Sequence, residues 1–435
     1  MIQSHVRASY QSNRSIDPEQ VPRLPVEVKQ YGIHVVKISI GTLTNEKPTY
    51  KSYYLVMDTG SSLIWLQCEG CKKNNRCFKQ EDPPFPSTAS QTCRPLQCQD
   101  NPKVREPHSC ARKFCEYSIC YADNSHSKGI IAQEKFTFDV HPRGMETKDI
   151  RFGCGVNQPE ISFASDYPEN QVAGILGLGW APYALHAQLD PETGSKFSYC
   201  LQSQHTAPHE SYLKFGSDIA VTSDFQKTQL CKEEYQYWVA LKDISIGGRK
   251  LQIPKRIVHS HPKNRVILDS GSDSSSLMKP IYQLFEKELV EQLCYDYKTK
   301  AVPQQEVYDG LPTISFHLEG ANFVIKPAAA FLHDVDKNGK RYFCVLFSPA
   351  KGDSTLGASQ QTNYRMTLLG IMSFGCGYYM ESNGESNTSH GTWEYPKSRT
   401  LKQDNQAYHP HKSKLFVQTG CNQVCASFSK LKMHL

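Results

Sequence analysis

An apolar strand delivering Asp, a hydroxyl residue, Gly and Ser occurs twice in this chain. The copies are Tyr54-Leu55-Val56-Met57-Asp58-Thr59-Gly60-Ser61 and Arg265-Val266-Ile267-Leu268-Asp269-Ser270-Gly271-Ser272. Downstream of the first stands Ile175-Leu176-Gly177, and downstream of the second stands the less apolar Thr355-Leu356-Gly357. Repetition of a whole strand-and-turn unit with its distant partner implies two homologous lobes in one chain. The second interval is shorter by roughly the length of a cysteine-rich segment, so that segment reads as an insertion in the first lobe.

A single Asp-Thr-Gly is most simply a surface turn closed by an Asx bond. Two matched copies say more. If a pseudo-twofold axis relates the lobes, Asp58 and Asp269 meet across it as a carboxylate pair. Two carboxylates that close cannot both ionise readily, so one proton is shared and the pair titrates in two separated steps. Such a pair presents a water to an acid and a base together, which is what peptide hydrolysis without a covalent intermediate requires. An Asp at the end of a buried strand also needs hydrogen bonds. The Thr59 and Ser270 hydroxyls and the neighbouring glycine amides are expected to supply them.

The chain has 435 residues, enough to bury more than one lobe. Lys plus Arg number 49 against 43 Asp plus Glu, a net charge of +6 with no concentrated basic block, which argues against a nucleic-acid partner. No run approaches 18 apolar residues, so no membrane span is expected. Between about residues 30 and 376, short β-branched and aromatic runs alternate with Gly, Pro, Asn and Asp, predicting mostly antiparallel sheet. Helical spacing occurs over Tyr183 to Leu189 and over Lys279 to Leu293, the latter through Ile281, Leu284, Phe285, Leu289 and Leu293. Residues 1–29 are polar and read as a flexible lead-in, a propeptide remnant. Residues 30–205 read as the first lobe, 206–379 as the second, and 380–435 as a His- and Lys-rich tail of low order outside the fold.

Of 16 cysteines, Cys68, Cys71, Cys77, Cys93, Cys98, Cys110 and Cys115 crowd into fewer than fifty residues. Disulfides in an oxidising compartment are one reading. A zinc knuckle at Cys68-Glu69-Gly70-Cys71 is the other, weakened because Cys93 and Cys98 are too far apart to mirror it. The start, Met1 to Arg7, has no apolar core of a secretory signal, so a signal and most of a propeptide are expected to be missing ahead of it. Asn13-Arg14-Ser15 and Asn387-Thr388-Ser389 are glycosylation sequons, meaningful only in a secreted chain. His-Glu-x-x-His, Gly-x-Ser-x-Gly and phosphate-loop motifs are absent, and Cys421 and Cys425 with His409, His411 and His434 are too irregular for a metal site.

Over residues 30 to 376 the chain resembles the pepsin-like aspartic proteases, in particular the nepenthesin-like plant branch. The matching stretches run in order: Asp58 to Cys68, the cysteine-rich insertion, Phe152-Gly153-Cys154-Gly155, Gly174-Ile175-Leu176-Gly177-Leu178-Gly179, Phe197-Ser198-Tyr199-Cys200-Leu201 and Asp269-Ser270-Gly271. The resemblance implies a mostly β, bilobal pepsin-like fold whose pseudo-twofold related lobes enclose a cleft. It implies a cofactor-free, metal-free endopeptidase, monomeric, acting on polypeptides at acidic pH, secreted or vacuolar. Asp58 and Asp269 would be catalytic, with Thr59, Gly60, Ser61, Ser270, Gly271 and Ser272 supporting them. Cys120 to Ser125 would be the tip of a substrate-covering flap bearing Tyr121, Ala122 and Asp123, with Trp65 beneath Tyr121. Cys294 and Cys344 would form a disulfide in the second lobe.

Three departures from the family pattern stand out. Ala122 and Asn124 occupy flap positions where the family often has glycine; Asn tolerates positive φ, so the turn is expected to survive. After Asp269-Ser270-Gly271 the chain reads Ser272-Asp273-Ser274, where threonines are common. Asp273 either adds a third carboxylate to the cleft or points to solvent. A second functional reading is a pepsin-fold binding protein like the plant inhibitors of glycoside hydrolases, which lack an intact dyad.

Overall fold

The alternating and continuous apolar runs fold as strands, and the two copies of the repeat build the same motif. The computed structural model describes residues 21–368 apart from 30–31, 74, 101–107, 112, 141–143, 164–169, 191–192, 204–210, 220–225, 234, 256, 258–264, 294–307, 309 and 336–340, together with the strands at 378–384, 416–418 and 430–434. In the first lobe, strand Lys51–Asp58 runs antiparallel to His34–Ile40, with Val36 opposite Leu55. On its other side it runs parallel to Val172–Gly177, with Gly177 opposite Asp58. In the second lobe, Arg265–Leu268 is antiparallel to Gln236–Ile246 and parallel to Ser354–Leu356, with Leu356 opposite Leu268.

Each downstream glycine is required by this threading. A Cβ on Gly177 would lie 2.3 Å from the Ser62 carbonyl carbon, and one on Gly357 would lie 2.4 Å from that of Ser274. Neither distance is tolerable, so the returning strand passes the turn only as glycine. The apolar pairs before these glycines bury Leu176 and Leu356 beneath the two turns.

The long hairpin His126–Val140 with Gly144–Asn157 and the Phe114–Cys120 strand complete the first lobe's sheet. Phe85, Phe136, Phe138 and Phe152 fill its core, all essentially excluded from solvent. In the second lobe, helix Lys279–Leu293 forms over the stretch its spacing predicts. Its Ile281, Phe285 and Leu289 are buried, and the Phe285 ring packs 5.0 Å from that of Phe347. The shorter predicted helix is a single turn, Leu185–Gln188. Among the described residues no helix is long and apolar enough to cross a membrane.

A shared layer joins the lobes. Strand Phe197–Cys200 of the first lobe pairs antiparallel with Tyr364–Leu368 of the second, and on its other edge with Tyr212–Phe215. Onto that edge comes Arg23–Val28, which also pairs with His34–Ile40. This corrects the expectation of a flexible lead-in through residue 29. The stretch Arg23-Leu24-Pro25-Val26 alternates, burying Leu24 and Val26, and Arg23 Nε donates to Asp218 Oδ2 at 2.9 Å. The tail expectation is corrected in part as well. Tyr378–Gly384 pairs with Tyr364–Leu368 and Gln226–Glu233, and Lys430–His434 pairs with Arg341–Val345 and Phe416–Gln418. Backbone pairing needs no apolar side chains, which is why polar composition hid these strands.

The cysteine-rich insertion is held by disulfides. Cys68 bonds Cys154 and Cys71 bonds Cys77. Because the two cysteines of the Cys-x-x-Cys go to different bridges, they do not form a zinc knuckle. Cys98 is disulfide-bonded too, while Cys93, Cys115 and Cys120 keep thiols. Cys68–Cys154 closes a sequence separation of 86, and chain-entropy reasoning values such a closure at roughly 4–5 kcal/mol. Cys344 is buried on Arg341–Val345, and its expected partner Cys294 lies outside the described residues, as do both sequons and the His409, His411, Cys421 and Cys425 group.

Candidate active site

The two repeated turns meet face to face. Thr59 Oγ1 donates to Leu268 O at 2.9 Å and accepts from Ser270 N at 2.9 Å. Ser270 Oγ answers by donating to Met57 O at 2.7 Å and accepting from Thr59 N at 3.1 Å. The four bonds are interchanged by a twofold rotation that swaps the lobes. Thr59 and Ser270 are fully buried, so each bond is made in a low-dielectric environment where losing it is costly. The expectation that these hydroxyls satisfy their own Asp is therefore corrected: they reach across to the opposite backbone.

The carboxylates are held instead by the next residues. Asp58 Oδ1 accepts from Gly60 N at 2.8 Å, and Asp58 Oδ2 accepts from Ser61 Oγ. Asp269 Oδ1 accepts from Gly271 N at 2.8 Å and Ser272 N at 3.2 Å, and Asp269 Oδ2 accepts from Ser272 Oγ at 2.6 Å. Each carboxylate packs on the other lobe's glycine. A Cβ on Gly60 would stand 2.6 Å from Asp269 Cγ, and one on Gly271 would stand 2.4 Å from Asp58 Oδ1.

Position makes the pair unequal. Asp58 is 6% exposed, whereas Asp269 is half-buried and accepts one hydrogen bond more. Burial, and after it the charge of Asp269, push the Asp58 carboxyl up to about 7. Asp273 joins the same field. Its side chain is open to solvent, yet the protein crowded around it and then the charge of Asp269 push it up to about 6. Both placements considered for Asp273 thus hold in part: the side chain is open to solvent and still lies within the field of Asp269.

The hairpin expected to form the flap ends in a tight turn in which Tyr121 N donates to Ser125 O and Asn124 N to Tyr121 O, both at 2.9 Å. Asn124 adopts φ 69°, the left-handed conformation its residue type permits. Ala122 and Asp123 are exposed at the tip, and Asp123 Oδ1 accepts from Ser125 N at 2.9 Å. Trp65, fully buried, donates Nε1–H to the Tyr121 hydroxyl at 2.5 Å. Burial, and next the charge of Asp58, push the Tyr121 phenol up, so it stays protonated beside the carboxylates.

Three supporting residues escaped sequence reasoning. Tyr199, fully buried beneath the turns, donates its hydroxyl to Gln361 Oε1 at 2.7 Å. Gln360 Oε1 accepts from Ser275 N and Oγ at 2.8 and 2.7 Å. Gln236 Nε2 reaches Gly60 O at 3.3 Å. Tyr199 lies within a stretch that carries the family resemblance; the glutamines carry no sequence signal.

A family model described as xylanase inhibitor N-terminal matches residues 34–217, and its companion, xylanase inhibitor C-terminal, matches residues 236–368. Aspartyl protease family protein 2 of Arabidopsis thaliana is 30% identical over 358 residues, covering 77% of this chain and 68% of that protein. Aspartic proteinase nepenthesin-2 of Nepenthes gracilis is 28% identical over 384 residues, 85% of this chain and 80% of that one. Among solved structures, conglutin gamma from lupine seeds superimposes with a TM-score of 0.61 at 18% identity, covering 84% of this chain and 95% of that one.

Proposed function

The chain belongs to the plant pepsin-like aspartic proteases, and on that footing we propose that it cuts internal peptide bonds of proteins at acidic pH, with Asp58 and Asp269 as its catalytic pair. The observation that supports this most is the reciprocal seating of each carboxylate on the other lobe's glycine, which brings the two acids together.

The inequality of the pair suggests the roles. Asp58, more deeply buried, holds the shared proton, and Asp269, with three hydrogen-bond donors, carries the charge. Asp269 takes a proton from a water molecule as its oxygen attacks the scissile carbonyl carbon, while Asp58 gives its proton to the carbonyl oxygen. As the resulting diol collapses, Asp269 gives its proton to the leaving nitrogen, Asp58 takes one back from a diol hydroxyl, and the C–N bond breaks to leave a carboxyl group and an amine. The Tyr121 flap covers the substrate and keeps bulk water from the reacting atoms.

The alternative is a pepsin-fold protein that binds a glycoside hydrolase without cutting anything, and the description of the matching family model is what favours it. Both readings meet one experiment: casein cleavage by folded protein between about pH 2 and 7, for wild type, Asp58→Asn and Asp269→Asn, with and without a pepstatin-like inhibitor. Cleavage by the wild type alone, blocked by the inhibitor, supports the protease. A folded wild type that cuts nothing, or a mutant that cuts equally well, gives way to the binding reading. The disulfides further support passage through an oxidising compartment, with secretion or vacuolar delivery. A tagged chain found only in the cytosol contradicts that.

A further inference from the structure

Four residues past each catalytic-turn aspartate, the lobes differ in charge. The first lobe carries Ser62, whose Oγ approaches Tyr235 O at 3.5 Å; the second carries Asp273. Asp273 is anchored at its main chain, where its carbonyl oxygen accepts from Ser359 N at 3.0 Å and from Ser359 Oγ at 2.6 Å. Its side chain is open to solvent and lies within the field of Asp269. Among the described residues no cation or side-chain donor is paired with its carboxylate. Asp123 is exposed at the tip of the Tyr121 hairpin, and its charge, after that of Asp58, is felt by the Tyr121 hydroxyl.

We propose that Asp273 is a specificity-determining residue, its carboxylate receiving a lysine or arginine side chain of the substrate next to the scissile bond, so that the substrate class is polypeptides with a basic residue flanking the cut. The inference rests on the protease reading. An unpaired carboxylate fixed at the main chain, one step from the reacting atoms and on one lobe only, discriminates between the two ends of a bound peptide. A cation there meets the Asp273 carboxylate and the field of Asp269 beside it. A neutral or acidic side chain meets an unrelieved negative field instead.

The test is a set of fluorogenic peptides in which each position around the cut is in turn lysine or its neutral near-isostere norleucine, assayed with the full chain. Wild type is expected to favour lysine at one position by about fivefold in kcat/KM, the range of a partly exposed ion pair. That ratio should fall to about one in Asp273→Ser, which installs the residue of the other lobe, and in Asp273→Asn. In Asp273→Lys the preference should pass to glutamate at the same position. A wild type that cuts the norleucine peptides but prefers lysine nowhere overturns the proposal and leaves the protease intact. A preference that survives in the folded Ser or Asn variant overturns it as well. A wild type that cuts neither set sinks the protease reading itself.

Discussion

Asp269 lies against Gly60 so closely that the smallest side chain would strike it: a Cβ there would stand 2.6 Å from both Cγ and Oδ1 of the carboxylate. The mirror contact joins Asp58 to Gly271. Gly60→Ala is therefore expected to push the carboxylates apart and lower kcat by at least about a hundredfold, the scale of a lost acid–base partnership. The protein should still fold, since the atoms nearest the methyl are side-chain atoms of Asp269 and not backbone. Full activity in a folded Gly60→Ala protein would show that the two acids need not share one substrate atom.

Thr59→Val removes one hydroxyl and strands two buried backbone groups, Leu268 C=O and Ser270 N–H. At about 1–3 kcal/mol for each unsatisfied group, unfolding free energy should drop by roughly 2–6 kcal/mol. Ser270→Ala strands Met57 C=O and Thr59 N–H and should cost a similar amount. Denaturant titration of both variants measures this. A loss below about 0.5 kcal/mol in either would mean that the lobes do not depend on the clasp.

The raised Asp58 carboxyl sets the direction of pH effects. Its folded value of about 7 exceeds the ordinary 3.8, so the folded state holds the extra proton between those values. The stability it contributes is complete below about pH 3.8 and fades as pH climbs to about 7. Activity needs that proton and should fall as pH rises through the same upper limit. Asp273, faced by Asp269 and beyond it Asp58, packs its carbonyl on helix Ala358–Gln361, which carries no charge. Its preference for a basic substrate should accordingly grow as pH rises through about 6. A kcat/KM profile flat from pH 5 to 8 would contradict the assignment of the proton to Asp58.

Tyr121→Phe leaves the buried Trp65 N–H without its acceptor and frees the flap tip. Losing one such bond, worth about 1–1.5 kcal/mol, should raise KM for a peptide substrate up to about tenfold, with a smaller effect on kcat. Steady-state kinetics on a single peptide decide it. An unchanged KM would mean that the flap closes without this bond.

What could be read in advance follows from the range of each interaction. The aspartates announced themselves because duplication wrote the same turn twice, and Gly177 and Gly357 because a close backbone approach admits one residue type only. Helix Lys279–Leu293 was legible because its apolar face repeats every three to four residues. Contacts between distant residues were not legible. Tyr199 and Gln361 are 162 residues apart, and nothing near either predicts their bond. For the Thr59 and Ser270 hydroxyls the neighbouring aspartates are the acceptors local sequence offers, whereas the backbone they bond belongs to the opposite lobe, more than 200 residues away. Arg23–Val28 was missed because six residues interrupted by Pro25 carry too short an alternation to separate a strand from an extended lead-in.

The pairing of Phe197–Cys200 with Tyr364–Leu368 makes each half of the chain a splint for the other. Expressed alone, the first half would present Phe197–Cys200 as a naked edge, its backbone amides and carbonyls ready to capture any strand that arrives, another copy of itself included. A severed half would thus be prone to self-association, and the two aspartate turns of the intact chain are kept in register by the same seam that keeps it from aggregating.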